Sequence, residues 1–247
     1  MVGQWCGGGF GEDRKDIPRA VQMFYETFAN KTSPPALIVK TSGATFSIMD
    51  REDCKKKLNA IKKQFPEDVK LPNVYFIHGA LSTEEMNEMY NHHKVKSFYL
   101  TTHGEGFGRP LLEATFTGLP VITSNWSGHL DFLDEEHCLL VSGKLEKVPS
   151  SVVWKDIIVE ESQWFVADAG SVNSALNYVY TNYNEVKKRA LKLMEINREK
   201  FNTDKMVETF DSIINKVAEN VPSQVSLNLP KLKKVNASPP PQVKLPK

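Results

Sequence analysis

The chain has 247 residues, of which 40% are hydrophobic and 25% are charged. That length suits one large α/β domain with a buried core and is too short for two doubly wound domains, and the composition is typical of a folded globular protein. Thirty-one basic and 30 acidic side chains leave a formal net charge of +1, so no overall field favours nucleic acid or a membrane surface. No apolar run reaches the roughly 20 residues of a spanning helix.

Three cysteines, Cys6, Cys54 and Cys138, form no CxxC pair. Their odd number and wide spacing indicate reduced thiols rather than a disulfide framework or a metal site. No charged and apolar leader precedes a small-residue cleavage site, so we expect a cytoplasmic protein.

Short β-rich apolar runs alternate with segments of helical period up to about residue 150. This pattern predicts a single doubly wound, Rossmann-like parallel sheet of about six strands with helices on both faces. The expected strands span residues 1–5, 36–41, 74–78, 97–102, 120–124 and 138–141.

Helical periodicity appears first over residues 17–28, where apolar side chains recur as one stripe. Ser82 and Glu85 have the spacing of a capping box and predict a second helix start. Another helix is expected to begin near Arg109 or Pro110, because proline suits a first helical turn.

After residue 150 the pattern becomes helical, with three apolar stripes over residues 172–180, 186–194 and 206–217. From residue 221 onward Pro, Lys and Ser dominate, which is typical of a disordered tail. We therefore predict one domain over residues 1–220 and a tail over residues 221–247.

The most informative stretch is residues 103–129, HGEGFGRPLLEATFTGLPVITSNWSGH. It begins after a predicted strand, and ligands of open α/β sheets lie at the carboxyl ends of strands. Gly104, Gly106 and Gly108 let a backbone approach a ligand closely, and the free amides of the following helical turn favour a phosphate. A glycine turn alone also occurs as a plain tight connection.

Two acidic residues lie in this stretch. Glu113 is about one turn into the helix, where a carboxylate can bind a ribose diol, and Glu105 lies in the loop, where it can face a sugar. An exposed glutamate without a role is the competing interpretation of Glu113. His103 can act as an acid or orient a phosphate, although a structural role is favoured.

The run EGFGRPLLEATFTGLPVITSNWSGH resembles the signature of family-4 retaining glycosyltransferases, in which two glutamates separated by seven residues frame a GFG loop. VGQWCGGGFGEDRKDIPRAVQMFYETF is similar to the family's first strand, glycine-rich loop and basic turn. The resemblance covers about residues 2–217 and implies the second, donor-binding domain of a two-domain GT-B enzyme.

By this resemblance Glu113 binds the ribose and Glu105 contacts the donor sugar as the catalytic carboxylate. The amides around Gly106, Phe107 and Gly108 hold sugar hydroxyls or phosphate. Arg14 and Lys15 neutralise the diphosphate. Family members often have an arginine beside the first strand, where this chain has Gln4 and Trp5, so the diphosphate is expected to depend on Arg14 and Lys15 alone.

The expected donor is a nucleoside diphosphate sugar, with no cofactor. The sequence has no DxD pair, and helix-terminal amides with basic side chains can stabilise a leaving phosphate without a metal ion. After residue 124, the segment Asn125 to His129 is expected to line the nucleotide pocket, with helix capping by Ser127 as the competing account.

Since Met1 to Trp5 is predicted to form the opening strand of a second domain, the acceptor-binding half is expected to be missing, and a separate chain can supply it. A chain of this kind binds donor but transfers sugar slowly or not at all. Two alternatives remain open at this point: a noncatalytic nucleotide-sugar-binding module, and another nucleotide-dependent enzyme on the same fold, such as an epimerase.

Overall fold

The computed structural model of the chain describes residues 1–7 and 11–220. The predicted tail, residues 221–247, lies outside the described residues. The chain divides into two compact units, Met1–Asn202 and Thr203–Lys247.

The first unit is an α/β domain, and the first six of its strands follow the predicted order. The strands are β1 (Val2–Gln4), β2 (Leu37–Ser42), β3 (Val74–Ile77), β4 (Phe98–Leu100), β5 (Val121–Ser124), β6 (Leu139–Val141), β7 (Gly143–Lys147) and β8 (Gln163–Ala167). Its helices are α1 (Ile17–Phe28), α2 (Ile48–Lys62), α3 (Thr83–Asn91), α4 (Arg109–Phe116), α5 (Ala169–Thr181) and α6 (Tyr183–Lys200).

The first six strands form two parallel ladders, in the orders β3–β2–β1 and β4–β5–β6. The sequence predicted these six strands and their parallel pairing, but as one continuous sheet. The two ladders are linked at their carboxyl ends: the carbonyl of Arg14, after β1, accepts hydrogen bonds from the amide of His103 (3.0 Å) and the hydroxyl of Thr102 (3.2 Å), after β4. The loops that follow β1 and β4 therefore lie side by side.

Strands β7 and β8 form an antiparallel hairpin that the sequence did not predict. All five residues of β7 are exposed, so this strand lacks the apolar alternation that reveals a half-buried strand. The hairpin returns to the core through β8, where Phe165 and Ala167 are buried.

The helices begin and pack as their sequences dictate. Buried residues of α1 include Ile17, Val21 and Phe24 on one stripe, which is the amphipathic face predicted for it. At the start of α3, Ser82 and Glu85 form the predicted capping box: the Glu85 amide donates to the Ser82 hydroxyl at 3.2 Å and the Ser82 amide donates to the Glu85 carboxylate at 2.7 Å.

The second unit contains α7 (Thr203–Ala218). Its apolar residues recur at helical spacing, as the sequence predicted. Among the residues described, no helix combines the length and apolar character that crossing a membrane requires.

Candidate nucleotide-sugar site

The loop between β4 and α4 is held in place by hydrogen bonds to its backbone. Gly108 is the N-cap of α4 with φ of 85°, a left-handed conformation that glycine adopts without strain. The Gly104 amide donates to the Thr102 hydroxyl at 3.3 Å, and the Glu105 amide donates to the Ser127 hydroxyl at 3.1 Å. The loop is therefore preorganised on the scaffold of β4 and β5.

Ser127 clamps the peptide of Glu105 from both sides. Its hydroxyl accepts from the Glu105 amide and donates to the Glu105 carbonyl at 2.7 Å, while the Gly128 amide donates to the same carbonyl at 3.0 Å. Ser127 makes no side-chain cap on the short helix that follows, so the competing account of helix capping is wrong. It adopts φ of 86° and ψ of −170°, a strained conformation for a residue with a Cβ that the clamp must hold.

Glu105 is the buried acidic group of this loop, with its side chain 7% exposed. Its Oε1 lies 2.5 Å from the Lys15 ammonium, and its Oε2 lies 3.6 Å from Arg14. Arg14 also donates to the Gly104 carbonyl at 2.7 Å. Residues that were assigned separately to the sugar and the diphosphate thus form one cluster that joins the β1–α1 and β4–α4 loops.

The accessibility of the two basic side chains differs. The Lys15 side chain is 12% exposed, whereas half of Arg14 is accessible. The exposed guanidinium of Arg14 can therefore donate to an anion from solvent. The ammonium of Lys15 is less accessible because it is paired with Glu105.

The glycine loop leaves open space beside the cluster. A Cβ on Gly106 would meet no atom of the described residues within 4 Å. The Phe107 ring packs against Phe132 and Phe201, with ring centroids 5.2 and 6.2 Å away. Within the described part of the chain, no acceptor takes up the amides of Phe107 and Gly108, so both remain available to a ligand at the start of α4.

Glu113 lies on the exposed side of α4. Its side chain is 37% accessible and forms an ion pair with Arg109 at 3.1 Å. The pKa of the Tyr90 hydroxyl on α3 is raised, mainly by burial and to a smaller extent by the nearby Glu113 carboxylate. The structure therefore places Glu113 between α3 and α4, in contact with solvent and outside the Glu105 cluster.

His103 is part of the scaffold beneath the cluster. Its side chain is 2% exposed, and its Nδ1 lies 2.7 Å from the carbonyl oxygen of Phe165 in β8. Its ring stacks on Trp164 at 4.8 Å. Its observed contacts are therefore with the scaffold, and its side chain is almost inaccessible to solvent.

His129 is a second buried imidazole next to the loop. Its Nε2 lies 2.7 Å from the Ser124 carbonyl oxygen, and its Cβ lies 3.1 Å from the position of a Cβ on Gly108. Burial is the main cause that lowers the pKa of His129. His129, expected to line the pocket, therefore packs under the turn. The side-chain amide of Asn125 donates a hydrogen bond to the Glu135 carboxylate at 2.9 Å.

Other features bear less on this site. Two surface depressions lie instead along α2 and the segment 65–76. Across residues 1–7 and 11–220, no group of three or more His, Cys, Asp or Glu side chains is arranged to hold a metal ion.

The family model described as Glycosyl transferases group 1 matches residues 42–154. The matched segment runs from the end of β2 into the connection between β7 and β8, and it includes the glycine loop with Glu105 and Glu113. No curated protein matches the chain.

Several solved structures share the fold. Anabaena HepE, in complex with UDP and glucose, is 14% identical with a TM-score of 0.56, and the match covers 89% of this chain and 48% of that one. Sucrose-phosphate synthase from Thermosynechococcus elongatus is 15% identical with a TM-score of 0.56, and the match covers 84% of this chain and 44% of that one. The C-terminal domain of the glycosyl transferase group 1 family protein LpcC from Francisella tularensis is 18% identical with a TM-score of 0.50, and the match covers 74% of this chain and 79% of that one.

The chain thus spans about half the length of HepE and of the synthase. At these identities the likeness shows the fold, which is the Rossmann-like α/β domain of GT-B glycosyltransferases.

Proposed function

We propose that this chain is the donor-binding domain of a retaining, family-4 type hexosyltransferase, and that it binds a nucleoside diphosphate sugar between the β1–α1 and β4–α4 loops. The observation that carries the proposal is the ion pair of Lys15 with the buried Glu105, beside the half-exposed Arg14. These groups stand next to the open face of Gly106 and the start of α4.

The diphosphate is assigned to the basic side of the cluster. Departure of a nucleoside diphosphate builds negative charge on the leaving oxygens, which fixed donors stabilise without reorganisation. Arg14 supplies exposed donors, and the free amides of Phe107 and Gly108 add the positive end of α4. We assign no metal ion to this step.

The two carboxylates are assigned to the two sugars of the donor. Glu105, fixed by Lys15 and by the Ser127 clamp, presents its remaining lone pairs to hydroxyls of the transferred sugar. Glu113 accepts from the ribose diol. Its present partner, Arg109, is 83% exposed, so the ion pair is weak and opens at little cost.

Sugar transfer is expected to need an acceptor-binding domain. The chain spans about half of the solved structures it matches, and the missing groups can come from a separate chain or from another part of a longer protein. The alternative is a noncatalytic module that binds the donor without transfer.

Donor binding is tested by screening nucleoside diphosphate sugars in thermal-shift experiments. A ligand at a hundredfold excess over its dissociation constant stabilises the fold by about 2.7 kcal/mol. We expect at least one donor to bind and Arg14→Ala to weaken its affinity about tenfold, the value of one charged hydrogen bond. The matched control is Arg198→Ala, which removes an exposed arginine bound to Phe116 at the opposite end of α4.

Equal affinity of both variants for the donor would refute the assignment of Arg14. Failure of every donor to bind would refute the proposed function as a whole. Mass spectrometry of sugar release or transfer, with Glu105→Gln as the control, separates the two candidate functions. Turnover by the isolated chain contradicts the need for a second domain. Donor binding without transfer in any reconstituted mixture favours the noncatalytic module.

A further inference from the structure

Asp16 is buried in an unusual position directly after Lys15. It is the N-cap of α1 with φ of 50° and ψ of 35°, a left-handed conformation that Asp and Asn adopt more readily than most residues. Its side chain makes no capping hydrogen bond, and the residue is 0% exposed. Within the described residues, neither carboxylate oxygen has a hydrogen-bond partner.

His103 faces this carboxyl group with a free ring nitrogen. Its Nδ1 lies 2.7 Å from the Phe165 carbonyl, and a carbonyl only accepts, so Nδ1 carries a hydrogen. Its Nε2 lies 3.8 Å from Asp16 Oδ1 and has no hydrogen-bond partner in the described part of the chain. Stacking on Trp164 fixes the ring in this orientation.

The charges around Asp16 do not neutralise it. Burial is the largest influence and raises the pKa of the Asp16 carboxyl to about 7, with Arg19 opposing and Asp13 adding to the rise. Arg19 donates to the Ala167 carbonyl at 3.2 Å. From β4, the Tyr99 hydroxyl also lies near but donates to the Ala20 carbonyl.

The charges around His103 also disfavour an imidazolium. Burial is the main cause that lowers the pKa of His103, and Arg19 and Arg14 act in the same direction. The Phe165 carbonyl and Glu146 of β7 oppose them. A buried carboxylate without a partner is costly, and so is a buried imidazolium.

We propose that Asp16 and His103 share a single proton between Asp16 Oδ1 and His103 Nε2, and that loss of this proton places a carboxylate charge beneath the donor site and weakens anion binding there. The two atoms lie 3.8 Å apart, so sharing the proton requires them to approach to about 2.8 Å, the length of an ordinary hydrogen bond. One proton then supplies a donor and an acceptor to two facing atoms that have no other partner among the described residues. The proton leaves to solvent as pH rises, and no bond between heavy atoms changes.

The position of the pair explains why its charge matters to the site. Asp16 adjoins Lys15, and His103 is two residues before Glu105. The two backbone segments are joined by the hydrogen bond from the His103 amide to the Arg14 carbonyl. A negative charge on the pair therefore lies close to the segment that carries Arg14 and Lys15, and it repels a diphosphate bound there. This inference rests on the proposed function for its effect on the donor, but not for the proton itself.

The proton is tested first in the ligand-free chain. NMR of the Asp16 carboxyl carbon and the His103 ring nitrogens from about pH 4 to about pH 9 should show one shared proton lost near pH 7. Titration of Asp16 at the ordinary value of about 3.9 would overturn the proposal. So would titration of His103 that is unchanged in Asp16→Asn.

The effect on binding is tested with UDP-glucose, because its diphosphate stays ionised throughout the range from about pH 5.5 to about pH 8.5. We expect the affinity of the unaltered chain to fall about fivefold as pH rises through 7, as a single nearby charge in a partly screened site predicts. Asp16→Asn keeps the left-handed backbone and an N–H donor toward Nε2, and its affinity should not change with pH.

The matched control is Asp134→Asn, which alters another Asp–His pair, the half-exposed Asp134 with the buried His137 at 2.8 Å. It should keep the pH profile of the unaltered chain. Equal profiles for the unaltered chain and Asp16→Asn would overturn the effect on binding. If UDP-glucose and every other nucleoside diphosphate sugar fail to bind at every pH while the shared proton is seen by NMR, the proposed function fails and the proton assignment stands.

Discussion

The surroundings of Glu105 and Glu113 differ more than the symmetry of the sequence motif suggests. Glu105 is 7% exposed and is held by Lys15 from the β1–α1 loop and by the Ser127 clamp after β5. Glu113 is 37% exposed, and its partner Arg109 is one turn away on the same helix. The position of Glu105 therefore depends on the tertiary fold, whereas that of Glu113 depends mainly on α4. Substitutions near Glu105 should affect stability far more.

The largest expected effect comes from the buried acid beneath Glu105. The change of the Asp16 pKa from 3.8 to about 7 corresponds to about 4 kcal/mol. Because the folded state holds the proton more tightly, this stabilisation is complete below about pH 4 and is lost as pH rises through about 7. Urea unfolding should show that the free energy of unfolding of the unaltered chain falls, relative to that of Asp16→Asn, as pH rises from about 4 to above 7. Parallel pH profiles of the two chains would contradict this.

A second effect should follow from the loss of Lys15. Lys15→Ala leaves the Glu105 carboxylate buried without its main partner, which is expected to lower the free energy of unfolding by about 3 kcal/mol. Lys144→Ala is the control, since Lys144 pairs with Glu146 on the exposed hairpin and is 77% accessible. Its effect should stay below about 0.5 kcal/mol. Similar unfolding midpoints for the two variants would show that the Glu105 pair contributes no more than a surface pair.

The third prediction compares two glycines of the same site. A Cβ on Gly128 would overlap the Gly106 carbonyl oxygen, so Gly128→Ala must displace the clamped loop and should cost about 2 kcal/mol or more. Gly106→Ala meets open space and should change stability by less than about 1 kcal/mol. If Gly106 faces the donor, the same variant weakens donor binding without a loss of stability. Denaturant titration with and without donor measures both effects.

The sequence predicted the parts of the molecule that depend on local patterns. Patterns of a few neighbouring residues determine each of these features: the first six strands, the α1 stripe, the capping box at Ser82 and the start of α4. The glycine loop with Glu105 was likewise recognisable from its order along the chain. The hairpin of β7 and β8 was not, because its first strand is exposed throughout.

The contacts that build the candidate site join segments far apart in the chain, and no local pattern reveals them. Arg14 and Lys15 were assigned to phosphate and Glu105 to sugar, but nothing in the sequence indicated that Lys15 binds Glu105. For the same reason the sequence did not reveal that Ser127 clamps Glu105 or that Asp16 faces His103. An acidic residue where a helix begins resembles an ordinary N-cap, so Asp16 gave no sign of its burial.

The smallest expected effect concerns Glu113. Arg109→Ala removes an exposed pair within α4 and should lower the free energy of unfolding by only about 0.3 to 0.5 kcal/mol. It also frees the Glu113 carboxylate, so the affinity for a donor ribose should stay equal or rise. Calorimetric titration of Arg109→Ala with the best donor measures this, with Glu113→Gln as the matched loss of charge. A fall in affinity for Arg109→Ala as large as that for Glu113→Gln would mean that the two side chains bind the donor together, and Glu113 would then depend on its partner as Glu105 does.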